Sequence, residues 1–315
     1  MLSGEALSSE ADFVPLFNEQ MLQKYDLHNK RLTLVSGQQV EYQNIKLPIC
    51  KRIRENHFEK LQKKTTDLVL AGHSGVQFVA AEDLYHWLGF LFYGVLYYEL
   101  WSAKRNPTPQ NAFLLEPQYM NRYAILHILL QGIYTKIELE DFEPESIMVF
   151  KSHIYNENSL DFDFKISANT YCMQLRVGEL CIIANVLDNG VQKQLFNDYL
   201  MLFETQTLHP IQINELFAKI SYKSYLTNLT YEYGLVLPKN EQEHIIMSLR
   251  IPDEQKETPM FSDWDEQTYA HILAAFLQPF GYDFKQLYSK KGTLSFLEKA
   301  DKIPFVLDAQ GKEIL

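Results

Sequence analysis

Residues Ser146–Phe196 read "SIMVFKSHIYNENSLDFDFKISANTYCMQLRVGELCIIANVLDNGVQKQLF". From Ile147 the apolar residues recur with a period of two, the spacing that sends successive side chains to opposite faces of a strand. Five strand-like runs follow one another: SIMVFKSHIYN, SLDFDFKIS, TYCMQLRV, ELCIIANVL and GVQKQLF. Val177-Gly178 and Asp188-Asn189-Gly190 stand between successive runs and supply turn chemistry. Connections this short imply antiparallel pairing. The stretch therefore predicts an antiparallel β-meander of about five strands.

Helix signals dominate on the N-terminal side. From Glu10 to Tyr25, the spacing of Phe13, Val14, Leu16, Phe17, Met21 and Leu22 predicts an amphipathic helix. RLTLVSGQQVEYQNIKLP alternates around Ser36-Gly37 and predicts a hairpin. Pro48 can open a helix over ICKRIRENHFEKLQKK at its first turn. TDLVLAGHSGVQF, Thr66 to Phe78, follows as a short strand entering a tight turn. AEDLYHWLGFLFYGVLYYELW and QYMNRYAILHILLQGIY flank the loop NPTPQN and predict a buried helical hairpin.

The C-terminal side is mixed. PIQINELFAKISYKSYL predicts a helix, and LTYEYGLVLP with EHIIMSLRIP a strand pair. SDWDEQTYAHILAAFLQPFG predicts a helix capped by Ser262 and stopped by Gly281. Ala309-Gln310-Gly311 marks a terminal hairpin. Helices and strands segregate along the chain, which argues α+β. The expected regions are a helix-rich part over 1–140 and a sheet with C-terminal helices over 141–315. Their boundary falls where composition turns acidic, near Glu138–Ser146.

With 315 residues, 46% hydrophobic and 22% charged, the chain is long enough for a real core. Only 13 glycines argue against propellers and dinucleotide folds. The net charge of −11 repels nucleic-acid phosphates, so such binding would need a local basic patch. Cys50, Cys172 and Cys181 form no CxxC pattern, which points to free thiols, a reducing compartment and a cytoplasmic location. MLSGEALSSEADF lacks a basic n-region and an apolar h-region, so no signal peptide is expected. The apolar stretch Leu84–Tyr98 is shorter than the ~20 residues of a bilayer span, and no membrane contact is expected.

Ser74 is the first candidate site. Gly72-His73-Ser74 matches the start of the G-x-S-x-G nucleophile elbow, with His271 and Asp253 or Asp263 in the right order for partners. Val76 stands where the second glycine should be, so a loop with Ser74 capping a helix is the preferred reading. Asp161, Asp163 and Lys165 alternate on one face of an expected strand. Two carboxylates there could hold a divalent cation, and Asp163-Phe164-Lys165 matches the D-x-K element of a nuclease superfamily. The competing reading makes Leu160, Phe162 and Phe164 the buried face and the charged residues the wet one.

Lys51, Arg52, Arg54, Lys60, Lys63 and Lys64 make the one dense basic stretch, with Ile53, Phe58 and Leu61 turned inward. It is either a solvated helix face or a docking patch for an acidic partner, a phosphate-bearing ligand or nucleic acid. The run Glu138, Glu140, Asp141, Glu143 and Glu145 reads as a solvated loop. His86 and His127, inside the two apolar helices, read as core histidines rather than metal ligands. The cluster of Tyr222, Tyr225, Tyr231 and Tyr233 fits a core or a recognition surface equally. No P-loop, GxGxxG, HExxH or EF-hand signature occurs, and no cofactor is expected.

The expected function is that of a non-catalytic intracellular binding or assembly subunit whose partner is another protein. Nucleic acid enters only through the basic helix. The alternative is a hydrolase, metal-dependent at Asp161, Asp163 and Lys165 or serine-type at Ser74.

Overall fold

A computed structural model describes residues 13–154, 161–203, 205–228, 230–238, 244–255, 257–290, 292–299 and 303–313. Parts of several sequence readings lie outside these residues, among them Glu10–Asp12 of the first helix, Tyr155, Asn156, Ser159 and Leu160 of the first two strand runs, Leu229 and Glu243. The chain forms two compact units, one from residues 1–144 with 233–250, the other from 145–232 with 251–315.

The described residues of the first unit begin with a strand where a helix was expected. β1 (Phe13–Pro15) pairs antiparallel with β4 (Lys46–Pro48). The helix α1 (Glu19–Lys24) begins only after Asn18, whose side chain accepts the Met21 amide at 3.0 Å. β2 (Arg31–Thr33) and β3 (Gln39–Glu41) make the expected hairpin, and Gly37 takes φ 81° at its turn. Beyond β4, α2 (Lys51–Ile53), a π-helical turn over Arg54–Phe58 and α3 (Glu59–Leu70) run on without a break.

The strand expected at Thr66 is therefore the last turn of a helix. Thr65, Thr66 and Val69 continue its buried face. Gly72, at φ 82°, redirects the chain into the one-turn helix α4 (His73–Val76). α5 (Ala81–Arg105) and α6 (Pro117–Leu129) form the helical hairpin. Trp87, Leu88, Phe90, Leu91 and Phe92 are buried on α5. The Tyr93 ring stacks on Tyr123 at 4.6 Å, and its hydroxyl lies 3.0 Å from His127 Nδ1. β5 (Ile137–Glu140) ends this stretch.

The second unit holds the central sheet. β6 (Ser146–Ser152), β7 (Phe162–Ser167), β8 (Cys172–Val177) and β9 (Leu180–Asn185) are the first four strand runs of the quoted stretch. The fifth run is not a strand. Val191, Leu195, Phe196 and Leu200 recur at helical spacing and form α7 (Val191–Met201). Adjacent strands lie in the order β10-β6-β9-β8-β7, where β10 is Thr207–Leu208.

β7, β8 and β9 are a true meander, but β6 pairs with β9 rather than β7, giving Greek-key order. β10 joins β6 in parallel, so the sheet is mixed. β8 and β9 are buried throughout, hence on both faces. One face packs Phe150, Cys181 and Ile183 against Leu216, Phe217 and Ile220 of α8 (Pro210–Tyr225).

β11 (Glu232–Val236) and β12 (Ile245–Arg250) return to the first unit. β12 pairs parallel with β5, and the three strands lie in the order β11-β12-β5. α9 (Glu266–Leu277) packs on α8. Its cap is Asp265, which accepts the Thr268 amide at 2.7 Å; Ser262 instead donates to Asn228 Oδ1 at 2.9 Å. Gly281, at φ 82°, ends the short 3-10 turn that follows. α10 (Phe284–Leu287), β13 (Tyr288–Ser289) and β14 (Gly292–Thr293) follow. The terminal turn forms around Gly311, where Leu307 bridges Glu313 antiparallel. Mixed helix and strand in segregated runs make the fold α+β.

Gly190 is the sharpest backbone position in the turn after β9. It sits at φ 75° as N-cap of α7, with its amide held by Asp188 Oδ1 at 3.2 Å. A β-branched side chain is strained there. Gly190→Val is expected to cost about 1–3 kcal/mol, read from urea melts; an unchanged midpoint would refute the strain.

Candidate functional site

A cleft of about 350 Å³ opens in the first unit. Its first wall is the helix from Lys51 to Leu70. Asn56, His57, Lys60, Leu61 and Lys64 face the cleft from it. Residues three and four apart share a helix face, and the π turn over Arg54–Phe58 carries Asn56 and His57. Such turns often mark functional positions. Phe58 is buried behind this wall, with its ring 4.3 Å from Phe90.

The second wall is the first turn of α5. Glu82, Asp83 and His86 come from it. Lys64 Nζ lies 2.7 Å from Asp83 Oδ2, so one ion pair spans the cleft. Lys60 and Glu82, both exposed, make no ion pair or hydrogen bond among the described residues. Gly132 and Ile133 form the third side. A Cβ on Gly132 would stand 2.4 Å from His86 Nε2, so only glycine lets the imidazole lie there. Burial pushes the His86 pKa down, against the pull of Glu82 and Asp83, and the ring bonds to the Leu129 backbone.

The basic helix is partly self-neutralised. Lys51 pairs with Glu55 at 3.8 Å, and Arg54 with Glu55 and Glu59 at 3.1 and 3.3 Å. Among its cations, Lys60 and Lys64 reach the cleft, while Lys51, Arg52, Arg54 and Lys63 do not line it.

The other sequence candidates lie elsewhere. Ser74 is exposed on α4, and the residues before it are helical rather than the strand an elbow needs. His271, on α9 of the second unit, stacks on Phe284 at 3.9 Å. Asp163 and Lys165 bind each other, and Gln174 Nε2 donates to Asp163 Oδ2 at 2.9 Å. Their cross-strand neighbours are Arg176 and Gln174, both buried. The expected wet face is thus a correction: Phe162 and Phe164 are buried on one side, and Asp161, Asp163 and Lys165 are mostly covered too. The sheet carries cover on both faces, so alternation does not mark solvent here.

Among the described residues, no cluster of three or more His, Cys, Asp or Glu side chains is placed to hold a metal. Glu138 of the acidic run bonds to His244 at 2.6 Å. Tyr222 is buried against Trp264 and Tyr269, whereas Tyr225 is exposed. Among the described residues, no helix is long and apolar enough to cross a membrane.

Sequence reasoning reached Lys60 and Lys64 through their charge density but missed Glu82 and Gly132. An acidic first turn is ordinary helix chemistry, so Glu82 carries no separate signal. Comparison with known proteins finds no family model that matches the chain, and neither a curated protein nor a solved structure that matches it.

Proposed function

We propose that the chain is a non-catalytic binding protein whose ligand seats in the cleft of the first unit. The observation that carries this reading is the pairing of walls: unpaired Lys60 on one helix and unpaired Glu82 on another line one cavity of about 350 Å³. That volume is in the range of small-molecule sites, roughly 300–1,000 Å³. The ion pairs along the basic helix favour a compact ligand over a long polyanion such as nucleic acid, because Lys51, Arg54 and Lys64 already have carboxylate partners. The buried, unpaired Cys50, Cys172 and Cys181 support a reducing compartment such as the cytoplasm.

A thermal-shift screen of charged metabolites tests the reading. Binding to the folded state raises the melting temperature in a saturable way, by the equivalent of about 2.7 kcal/mol at a hundredfold excess over Kd. The rise should vanish in Leu61→Trp, which fills the cleft from the half-buried position Leu61. A screen without a saturable shift, or a shift that survives Leu61→Trp, would overturn the assignment.

A further inference from the structure

The geometry points to a small amino-acid-type zwitterion as the ligand of this cleft, an inference that rests on the binding reading above. The charges lining the cleft decide it. Lys64 and Asp83 neutralise each other across the cleft at 2.7 Å. What remains is one cation, Lys60, and one carboxylate, Glu82, on facing elements. An anionic ligand alone would satisfy Lys60 but face Glu82. A cationic one would satisfy Glu82 but face Lys60. Like charges brought together are penalised, so a molecule carrying both signs is the complement.

The neighbouring groups divide in the same way. Asn56 and His57 stand four and three residues before Lys60, on its face of the helix, and can donate to a carboxylate. His86 stands four residues after Glu82. With one ring nitrogen turned to the Leu129 carbonyl, the other is an acceptor for an ammonium N–H. Leu61 and Ile133 add apolar surface for a side chain. The volume suits a single small molecule rather than a folded partner.

Isothermal titration of the full chain tests this. The standard free amino acids are titrated singly, and each one that binds is compared with its decarboxylated amine and its N-acetyl form. Inorganic phosphate serves as the purely anionic probe. At least one amino acid is expected to bind about tenfold or more tighter than either truncated form. Lys60→Gln and Glu82→Gln, both exposed changes, should each weaken it by a similar factor with unchanged circular dichroism. If phosphate or an N-acetyl form binds as tightly as the free amino acid, or Glu82→Gln leaves affinity unchanged, the zwitterion is wrong while the binding reading stands. If none of these probes binds but the metabolite screen gives a Leu61-dependent hit, the zwitterion again falls alone. If neither experiment finds a ligand, both fall.

Discussion

Glu215→Ala is expected to lower the stability of the protein by about 3–5 kcal/mol. Glu215 is fully buried on α8. Its carboxylate accepts the Ser295 hydroxyl and the Phe296 amide, each at 2.5 Å, and faces Lys219 at 3.5 Å. Alanine leaves that amide and the Ser295 O–H without an acceptor, and one side of the lysine without a partner, while Ser295 Oγ still accepts the Leu297 and Glu298 amides. Orphaned buried polar groups carry the full desolvation penalty. Lys219 keeps Glu298 at 2.9 Å and the Tyr199 hydroxyl at 3.1 Å, which bounds the loss. Glu215→Gln retains an acceptor and should lose less. Urea melts of the three proteins check the order; a loss under about 1 kcal/mol for alanine would show that the carboxylate does not tether the 295–298 segment.

Glu99 predicts a pH effect of similar size. It is buried on α5 and accepts the Val35 amide at 2.7 Å, from the tip of the β2–β3 hairpin. Its second oxygen has no hydrogen-bond partner among the described residues. Burial raises its pKa from 4.5 to about 7, and the Val35 bond offsets only part of that. A raised pKa means the native state holds its proton more tightly than the unfolded chain does. The stabilisation is complete below about pH 4.5 and is lost as pH climbs through about 7. At about 1.4 kcal/mol per pH unit of displacement, the full effect is near 3 kcal/mol. Glu99→Gln does not titrate. It should match the wild type at pH 5 and exceed it by about 2–3 kcal/mol at pH 8. Parallel pH dependence of the two proteins would refute the assignment to Glu99.

Local periodicity made much of the fold legible. The hairpin at Ser36-Gly37, the helices α5 and α8, and the strands β6 to β9 all follow from spacing within one element. Pairing order did not, because nothing in β6 distinguishes β7 from β9 as its neighbour. α7 was misread as a strand because the short run GVQKQLF spans less than two helical turns. Asp163 and Lys165 appeared solvent-facing because alternation reports which face a residue takes, while cover on that face comes from distant sequence. The cleft was half visible for the same reason. Lys60 and Lys64 announce themselves by charge, whereas Glu82 and Gly132 gain meaning only from what stands opposite them.

The route of the chain between its two units has a consequence for synthesis. β5, at 137–140, takes β12, at 245–250, as its parallel neighbour, and the second unit's strands are made in between. The nascent first unit must leave the ribosome with that edge open. At ~5–20 residues per second, the roughly hundred intervening residues delay its closure by about 5–20 s. The second unit has the opposite difficulty, since Gln212 of α8 holds the backbone of Phe296, Phe305 and Leu307 near the end of the chain. Neither unit is built from one continuous stretch of chain, so the strand edge left open while the intervening residues are made is exposed to chaperones and to mispairing.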